Sequence, residues 1–320
     1  MADNNQIAQA PQTGLAKLKT MLNAPSVQEQ FQNALAENKD LFVASIIDLY
    51  NGDKSLQECN PSAIVQECLK AAVLDLPINR ALGFAYIVVY KNKKKVTDPQ
   101  TGRTDWVVVP TPTFIPGYKG YIQLAMRTGQ YRTINADMIY EGELRTVNRL
   151  SGEVALDGKR VSDKVVGYFC YFQLLNGYSK TLFMSVEEMA AYAKRYAPGI
   201  KKDTTIAQLI AKANDGIVSK SVGWEGNFND MALKTVIRRL ISKYGYLSIK
   251  MQSAISHDSE AENRALIARN DTLQIADAQT LDIDATNVAY EEVDTETGEV
   301  KTATTTDTTT EAATAPTPDY

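Results

Sequence analysis

The chain has 320 residues, and 44% of them are hydrophobic, so it can bury a sizeable core. Its single histidine, His257, excludes sites built from several histidines. The spacing of Cys59, Cys68 and Cys170 fits neither a disulfide framework nor a zinc site. No apolar run is long enough to span a membrane, and the N-terminus lacks the features of a signal peptide. We therefore expect a cytoplasmic protein.

The net charge of −4 hides an uneven distribution along the chain. Residues 256–320 hold 15 acidic and three basic residues, whereas residues 1–255 hold 23 acidic and 31 basic residues. A basic body with an acidic tail is typical of proteins that handle nucleic acid, although charged enzymes also show it. The composition predicts a flexible segment at 1–25, a core at 26–255 and a largely disordered acidic segment at 256–320.

The first part of the core is predicted to be helical. Ser26 is placed to cap a helix through Ala36, and Asn38 or Asp40 a second helix through Tyr50. Asn60-Pro61 is typical of a helix start, and it precedes apolar residues at spacings of three and four. Helices are thus expected as far as about residue 76.

Strands follow the helices. Phe84–Tyr90 and Trp106–Phe114 are rich in aromatic and β-branched residues, and the basic connector between them predicts a hairpin with a long basic tip. Tyr118–Thr128 is predicted to be a helix that stops at Gly129. Strands are then expected at three further segments, namely Tyr131–Tyr140, Lys164–Leu175 and Ser179–Met184, the last two joined by a tight turn at Asn176-Gly177.

The rest of the core is predicted to be helical again. Ser185 and Glu188 have the spacing of a capping box for a helix over Val186–Arg195. Helices at Thr205–Asn214 and Asn229–Lys243 follow, and the hydrophobic periodicity fades after Ile255. The whole pattern predicts an α+β core domain of mixed helices and antiparallel hairpins.

Acidic residues offer one candidate catalytic site. Asp137, Glu141 and Glu143 would share one face of a strand and could hold the metal ion of a nuclease. The alternative is a solvated strand end that enters a turn at Gly142. Phosphate-binding glycine loops and nucleophile elbows are missing from the sequence.

The helix predicted at Asn229–Lys243 carries cations beside its apolar face. Lys234 and Arg238 are four residues apart, as are Arg239 and Lys243, so each pair would form a row suited to a phosphate backbone. The alternative is a solvated basic face on an ordinary amphipathic helix. The sequence alone leaves both open.

Two further segments combine cations with features of nucleic-acid binding. Tyr118 and Lys119 lie in a Gly-Tyr-Lys-Gly-Tyr stretch that leads to Arg127, where tyrosines could stack on bases or belong to the core. The connector after Tyr90 is rich in lysine, including Lys91 and Lys93. It could contact DNA or keep a hairpin tip soluble.

Four ordered motifs make the chain resemble the RecT family of phage single-strand annealing proteins over about residues 25–255. They are PSAIVQECLKAAVLDLPI with ALGFAYIVVY, then FIPGYKGYIQLAMRTGQ, then DKVVGYFCYFQLLNG, then WEGNFNDMALKTVIRRL. The second fits a Gly-Tyr-[Lys/Arg]-Gly turn before a helix. The fourth fits the pattern Trp…Met-x-x-Lys-Thr-x-x-[Arg/Lys]-[Arg/Lys]. The basic connector varies in the family, so its lysines are transferred less directly.

The resemblance implies a core distantly like those of Redβ and Rad52, which assembles into rings or helical filaments. It implies ATP-independent annealing of complementary strands in a cationic groove, with no catalytic residue, metal or cofactor. A RecE-type exonuclease and the host single-strand DNA-binding protein are the implied partners, the latter through the acidic tail. A metal-dependent nuclease and a phage structural subunit are the alternatives. The expected DNA-binding residues are Tyr118, Lys119, Arg127, Lys234, Arg238, Arg239, Trp224, Lys91, Lys93 and Lys243.

Overall fold

The computed structural model describes residues 14–97, 104–197, 199–201, 203–215 and 223–269, with side chains at all of these except 92–97, 104–106 and 264–269. The fold is α+β, as the sequence predicts. Two of the predicted segments lie mostly outside the described residues: the flexible N-terminal segment (residues 1–25) and the acidic C-terminal segment (residues 256–320). Among the described helices, none has the length and apolar character needed to cross a lipid bilayer.

Helices build the first part of the fold: α1 (Gly14–Leu22), α2 (Pro25–Leu35), α3 (Lys39–Gly52), α4 (Lys54–Gln57) and α5 (Pro61–Val73). The predicted start of α5 is confirmed, because the Asn60 side chain accepts a hydrogen bond from the Ser62 amide and Pro61 occupies the first turn. Helix α2 begins at Pro25, one residue before the predicted cap Ser26, since proline is favoured in a first turn.

A long antiparallel hairpin follows. Strands β1 (Ala85–Thr97) and β2 (Thr104–Pro116) pair without interruption from Ala85 opposite Pro116 to Thr97 opposite Thr104. The prediction that the strand ends at Tyr90 is wrong. The lysine-rich segment continues β1 because it pairs with Trp106–Pro110, and the valines there favour an extended chain.

A second sheet carries the rest of the core. It has the order β3 (Tyr131–Tyr140), β6 (Val165–Leu174) and β7 (Ser179–Ser185), all antiparallel. Gly177 has a positive φ of 87° in the predicted tight turn between β6 and β7. The short pair β4 (Thr146–Val147) and β5 (Val154–Ala155) lies in the connection between β3 and β6.

Helices α6 (Tyr118–Met126), α7 (Val186–Tyr196), α8 (Ile206–Asn214), α9 (Phe228–Tyr244) and α10 (Ile249–Arg269) complete the fold. The predicted capping box of α7 is confirmed, with both hydrogen bonds between Ser185 and Glu188 present. Helix α9 packs on β3, β6, β7 and α6 with its apolar side, so it occupies the centre of the molecule.

Helix α10 runs through the boundary that the sequence analysis placed after Ile255. It buries Met251, Ala254, Asp258 and Ala261, which recur at helical spacings. Two alanines and an aspartate make a weak hydrophobic stripe, so the periodicity appeared to fade. Residues 256–261 are therefore packed in the folded part of the protein, and α10 continues to Arg269.

Glycines fix the position of α6 against the segment that leads into β1. A Cβ on Gly117 would lie 2.2 Å from the Gly83 carbonyl oxygen, and one on Gly120 would lie 2.2 Å from the Phe84 carbonyl oxygen. The Gly117 amide also donates a hydrogen bond of 2.9 Å to Phe84. The close approach that these glycines permit is thus to the protein's own backbone.

We predict that Gly120→Ala destabilises the protein by about 1–3 kcal/mol, because the added methyl group overpacks a rigid backbone contact. Urea unfolding measures the change in the free energy of unfolding. Gly52→Ala is the matched control, since a Cβ there meets nothing within 4 Å and the residue ends helix α3. Equal stability of the two variants would contradict the proposed packing role.

Candidate nucleic-acid interface

A cleft of about 660 Å³ opens between the base of the hairpin, the start of α6, the end of α7, the start of α9 and one side of α10. We call it the aromatic cleft, because six aromatic side chains line it. These are Tyr86, Tyr90, Tyr118, Tyr192, Tyr196 and Trp224.

Strand alternation places the first two tyrosines. Tyr86, Val88 and Tyr90 share the face of β1 that lines the cleft, whereas Ala85 and Ile87 point to the core and are buried. Because the side-chain period of a strand is two residues, one strand serves both surfaces.

The opposite wall is an aromatic cluster at the end of α7. Tyr192 and Tyr196 are one helical turn apart, with ring centroids at 4.8 Å. Trp224 lies 6.5 Å from Tyr192 and 5.2 Å from Phe228, in an edge-to-face contact with the latter. The predicted residue Trp224 is therefore part of the cleft wall, mostly buried but in contact with half-buried tyrosines.

Cations lie beside these rings. The Arg239 guanidinium is 5.4 Å from the Tyr192 ring centroid, and the Arg195 guanidinium is 5.2 Å from that of Tyr196. Lys119 lines the cleft and is exposed, with its ammonium 5.9 Å from the Tyr118 ring centroid. These cations can attract the phosphates of a chain whose bases meet the aromatic rings.

Asp230 brings a negative charge to the same cleft. Its backbone amide donates to the side chain of Asn227, which caps α9, and the Asn227 amide group donates back to its carboxylate at 2.6 Å. Burial raises the pKa of Asp230, and the bond from Asn227 and the charge of Lys119 offset part of that effect. The Asp230 carboxylate thus orients the Asn227 side chain that caps the start of α9.

A buried ion cluster closes the side of the cleft formed by α10. Asp258 accepts hydrogen bonds from Lys234 at 2.5 Å, from Arg238 at 2.8 Å and from the Tyr121 hydroxyl at 3.0 Å. Arg238 also pairs with Glu262 at 2.8 Å. Burial alone would raise the pKa of Asp258, but the charges and hydrogen bonds of Lys234 and Arg238 outweigh it and lower that pKa.

This cluster corrects the expected cationic row of Lys234 and Arg238. Lys234 is only 5% exposed, and its ammonium is bound to Asp258 rather than presented to solvent. Arg238 is divided between two carboxylates. Asp258 and Glu262 belong to the segment that was expected to be an acidic tail. Their pairing with Lys234 and Arg238 was therefore not predicted from the sequence.

The other predicted cations lie apart from the cleft lining. Arg127 donates hydrogen bonds to the carbonyl oxygens of Leu74 and Asp75 at the end of α5, where it stabilises a helix terminus. Lys243 is exposed at the end of α9, and Lys91 is exposed on the hairpin. The Lys93 side chain lies outside the described residues.

The cleft also contains residues that the sequence analysis missed, namely Tyr86, Tyr90, Tyr192, Tyr196 and Arg80. Two signals were present in the sequence. Tyrosines recur at an even spacing in β1 and one turn apart in α7, and both patterns place the rings on a common face.

The carboxylates of the nuclease alternative make separate local contacts. Asp137 accepts a bond from the Met138 amide, Glu143 from the Tyr140 amide and Glu141 from the Ser162 hydroxyl. Within the part of the chain that the structure describes, no group of three or more His, Cys, Asp or Glu residues could hold a metal ion.

In a comparison with known protein families, residues 40–271 match the RecT family. The chain belongs to the RecT family. It is 36% identical over 273 residues to the uncharacterized protein YqaK of Bacillus subtilis (strain 168), covering 85% of this chain and 82% of that protein. It is 25% identical over 251 residues to Protein RecT of Escherichia coli (strain K12), covering 75% and 80%.

Membership makes the chain a phage-type DNA recombination protein of the single-strand annealing class. The RecT match includes all the residues that line the aromatic cleft and the whole of α10. It therefore extends past the boundary that the sequence analysis had drawn after Ile255.

We predict that Asp258→Asn destabilises the RecT-family fold by about 3–5 kcal/mol, because it leaves Lys234 buried without a counter-charge. The lowered pKa gives the matching pH dependence. The stabilisation is present above the unfolded-state pKa of about 3.9 and is lost as the pH falls through the lower folded-state value. Urea unfolding at a series of pH values measures both effects.

Asp163→Asn is the control for that substitution. Asp163 pairs with Arg160 on the surface, where an exposed ion pair contributes little. If the two variants lose the same stability at neutral pH, the buried cluster does not have the role assigned to it.

Proposed function

We propose that this RecT-family protein binds single-stranded DNA at the aromatic cleft and anneals complementary strands without ATP, as a ring or helical homo-oligomer. The observation that carries the proposal is the cleft itself, in which half-buried tyrosines and a tryptophan face one another beside exposed cations. Such a combination suits single strands, because every base has a face that can stack on a ring.

The charges of the cleft favour one orientation of the strand. Its lining includes the carboxylates of Glu225 and Asp230, which repel phosphates, whereas Asp258 and Glu262 are paired with Lys234 and Arg238. Exposed cations lie at Lys119 in the lining and at Arg239 next to the Tyr192 ring, and Arg80 also lines the cleft but is paired with Asp53. We therefore place the bases against the rings and the phosphates along these cations.

This orientation is compatible with annealing. Stacking occupies the face of a base, whereas Watson–Crick pairing uses its edge, so a stacked strand can still be read by a complementary one. Contacts to phosphates and ring faces carry no sequence information, so pairing alone would supply specificity. No bond is made or broken, and cations that neutralise phosphates lower the repulsion between two strands.

Lys234 and Arg238 receive a positioning role in this scheme. They hold α10 against α9 through Asp258, and α10 supplies one wall of the cleft. Arg127, Lys243, Lys91 and Lys93 are not assigned to the cleft.

Weak contacts repeated along an oligomer would add up to tight binding by multivalency.

We predict that Lys119→Gln weakens binding of an oligonucleotide and makes it less salt-dependent, with the slope of log K against log salt falling by about 0.7 for one lost phosphate contact. Tyr192→Leu should weaken binding by about 1–3 kcal/mol through lost stacking and leave that slope unchanged. Fluorescence anisotropy over a salt series measures both effects.

Each substitution has a matched control outside the cleft. Lys17→Gln removes an exposed cation from α1, and Tyr178→Leu removes an exposed tyrosine from the turn between β6 and β7. Binding that responds equally to the cleft variants and to their controls would refute the cleft as the DNA site.

One assay separates annealing from its two alternatives. Labelled complementary strands are mixed with the protein in the presence of Mg²⁺ and in the absence of ATP. Faster duplex formation with intact ends is expected. Shortened strands would favour the nuclease with Asp137, Glu141 and Glu143, and assembly without strand pairing would favour a phage structural subunit.

We further propose a RecE-type exonuclease and the host single-strand DNA-binding protein as partners, the latter through the acidic segment. Deletion of residues 286–320 should leave annealing of bare oligonucleotides unchanged, because a segment with excess negative charge is poorly suited to contact DNA. Annealing of strands coated with the host protein should decrease. Loss of annealing on bare strands would show instead that the segment acts in pairing.

A further inference from the structure

The hairpin exposes apolar side chains beyond its base, at Val107 and Val108. We define the hairpin arm as residues 91–97 and 104–110. Val107 and Val108 are consecutive on β2, so their side chains point to opposite faces, and they are 45% and 52% exposed. Both faces of the hairpin are therefore open to solvent at Val107 and Val108.

The composition of the arm suits a protein partner. Its β1 half reads KNKKK, and the register pairs this segment with Trp106–Pro110, which includes three consecutive valines. A two-stranded ribbon is only marginally stable in water by itself, so a docked surface would stabilise it. Proline at Pro110 and Pro112 removes amide donors from β2, which favours contact through side chains over addition of another strand.

A second surface has complementary properties. We define the α3 face as Glu37, Asp40, Leu41, Ala44 and Asp48, which are exposed and lie on one side of α3 and the turn before it. Leu41 is 73% exposed and lies on the same side of α3 as the carboxylates of Asp40 and Asp48, the first of which is 3.6 Å from the Lys39 ammonium. An exposed leucine framed by acidic side chains is a surface to which a basic, valine-bearing partner can bind.

A hollow of about 280 Å³ continues this surface. Leu49 and Ile78 contribute apolar surface to it, Asp48 of the α3 face also lines it, and the Asp53–Arg80 ion pair lies in the same lining. The hollow is small enough to suit aliphatic side chains such as those of the arm.

We propose that the hairpin arm of one protomer docks on the α3 face of the next protomer. The register places Lys91 and Lys93 on the same face of the ribbon as Val108, since Lys93 pairs with Val108 and Lys91 with Pro110. These two lysines would meet the carboxylates, and Val108 would cover Leu41 beside the hollow. The two surfaces belong to different parts of one chain, so the contact is head-to-tail and repeats into a ring or an open helix. The inference rests on the proposed self-assembly and is independent of strand annealing.

Disulfide trapping tests the contact directly. Val108→Cys and Leu41→Cys are combined in one chain, which is oxidised with and without an oligonucleotide and run on a non-reducing denaturing gel. The native thiols interfere little, because all three are buried and burial raises the pKa of Cys59 to about 11 and of Cys170 to about 12.

A ladder of covalent dimers, trimers and larger species is expected, several-fold stronger than for either single variant. The matched control combines Leu41→Cys with Leu150→Cys, since Leu150 is almost fully exposed and lies outside both surfaces. Light scattering on the same samples reports whether the protein assembles. Assembled particles without a ladder, or an equal ladder in the control, would overturn the proposed interface alone, whereas particles of single-protomer mass would overturn self-assembly as well.

A charge exchange gives a second readout that needs no cysteine. Asp40→Lys with Asp48→Lys should reduce the assembled fraction in light scattering, and adding Lys91→Glu with Lys93→Glu, which share the face of Val108, should restore it. Assembly that is insensitive to the first pair, or that is not recovered by the second, counts against docking of the arm on the α3 face.

Discussion

The carboxylate of Asp258 joins three helices at one buried point. It binds Lys234 and Arg238 of α9 and the hydroxyl of Tyr121 in α6, while its own backbone belongs to α10. A single charge in this position would be strongly unfavourable, and the same holds for the ammonium of Lys234. The Asp258 carboxylate and the Lys234 ammonium therefore require each other. Helix α10 cannot separate from α9 without leaving one of these buried charges unpaired. The cleft keeps its wall for this electrostatic reason.

Two other contacts complete the frame of the cleft. Gly117 and Gly120 let α6 lie directly on the chain before β1, which sets Tyr118 and Lys119 at the edge of the opening. The aromatic wall at Tyr192 is fixed by packing rather than by charge, since that ring stands among other rings. The proposed orientation of the strand depends on this frame, because Glu225 and Asp230 lie in the lining whereas Lys119 and Arg239 lie beside the rings.

Local signals in the sequence predicted most of the elements. Asn60-Pro61, the capping box at Ser185 and the turn at Gly177 each depend on residues within a few positions, and all three are present. The environment of Lys234 depends on a carboxylate 24 residues away, which no local pattern reveals. The stripe of α10 was missed for a related reason, because alanine and a paired aspartate can be buried without a hydrophobic signature. The cleft tyrosines could likewise not be distinguished from core residues in the sequence, because the two walls of the cleft come from distant segments, β1 and α7.

The two tryptophans of the chain stand on the two surfaces that matter most. Trp224 lies in the aromatic wall of the cleft, and Trp106 lies in the hairpin arm, opposite Lys95. Indole emission responds to stacking and to dehydration, so each ring is a native optical reporter of its own surroundings. With one of them replaced by phenylalanine, the remaining fluorescence would report either the proposed strand binding at Trp224 or the proposed protomer docking at Trp106, as separate events in time. The chain thus already contains the probes needed to ask which of the two happens first.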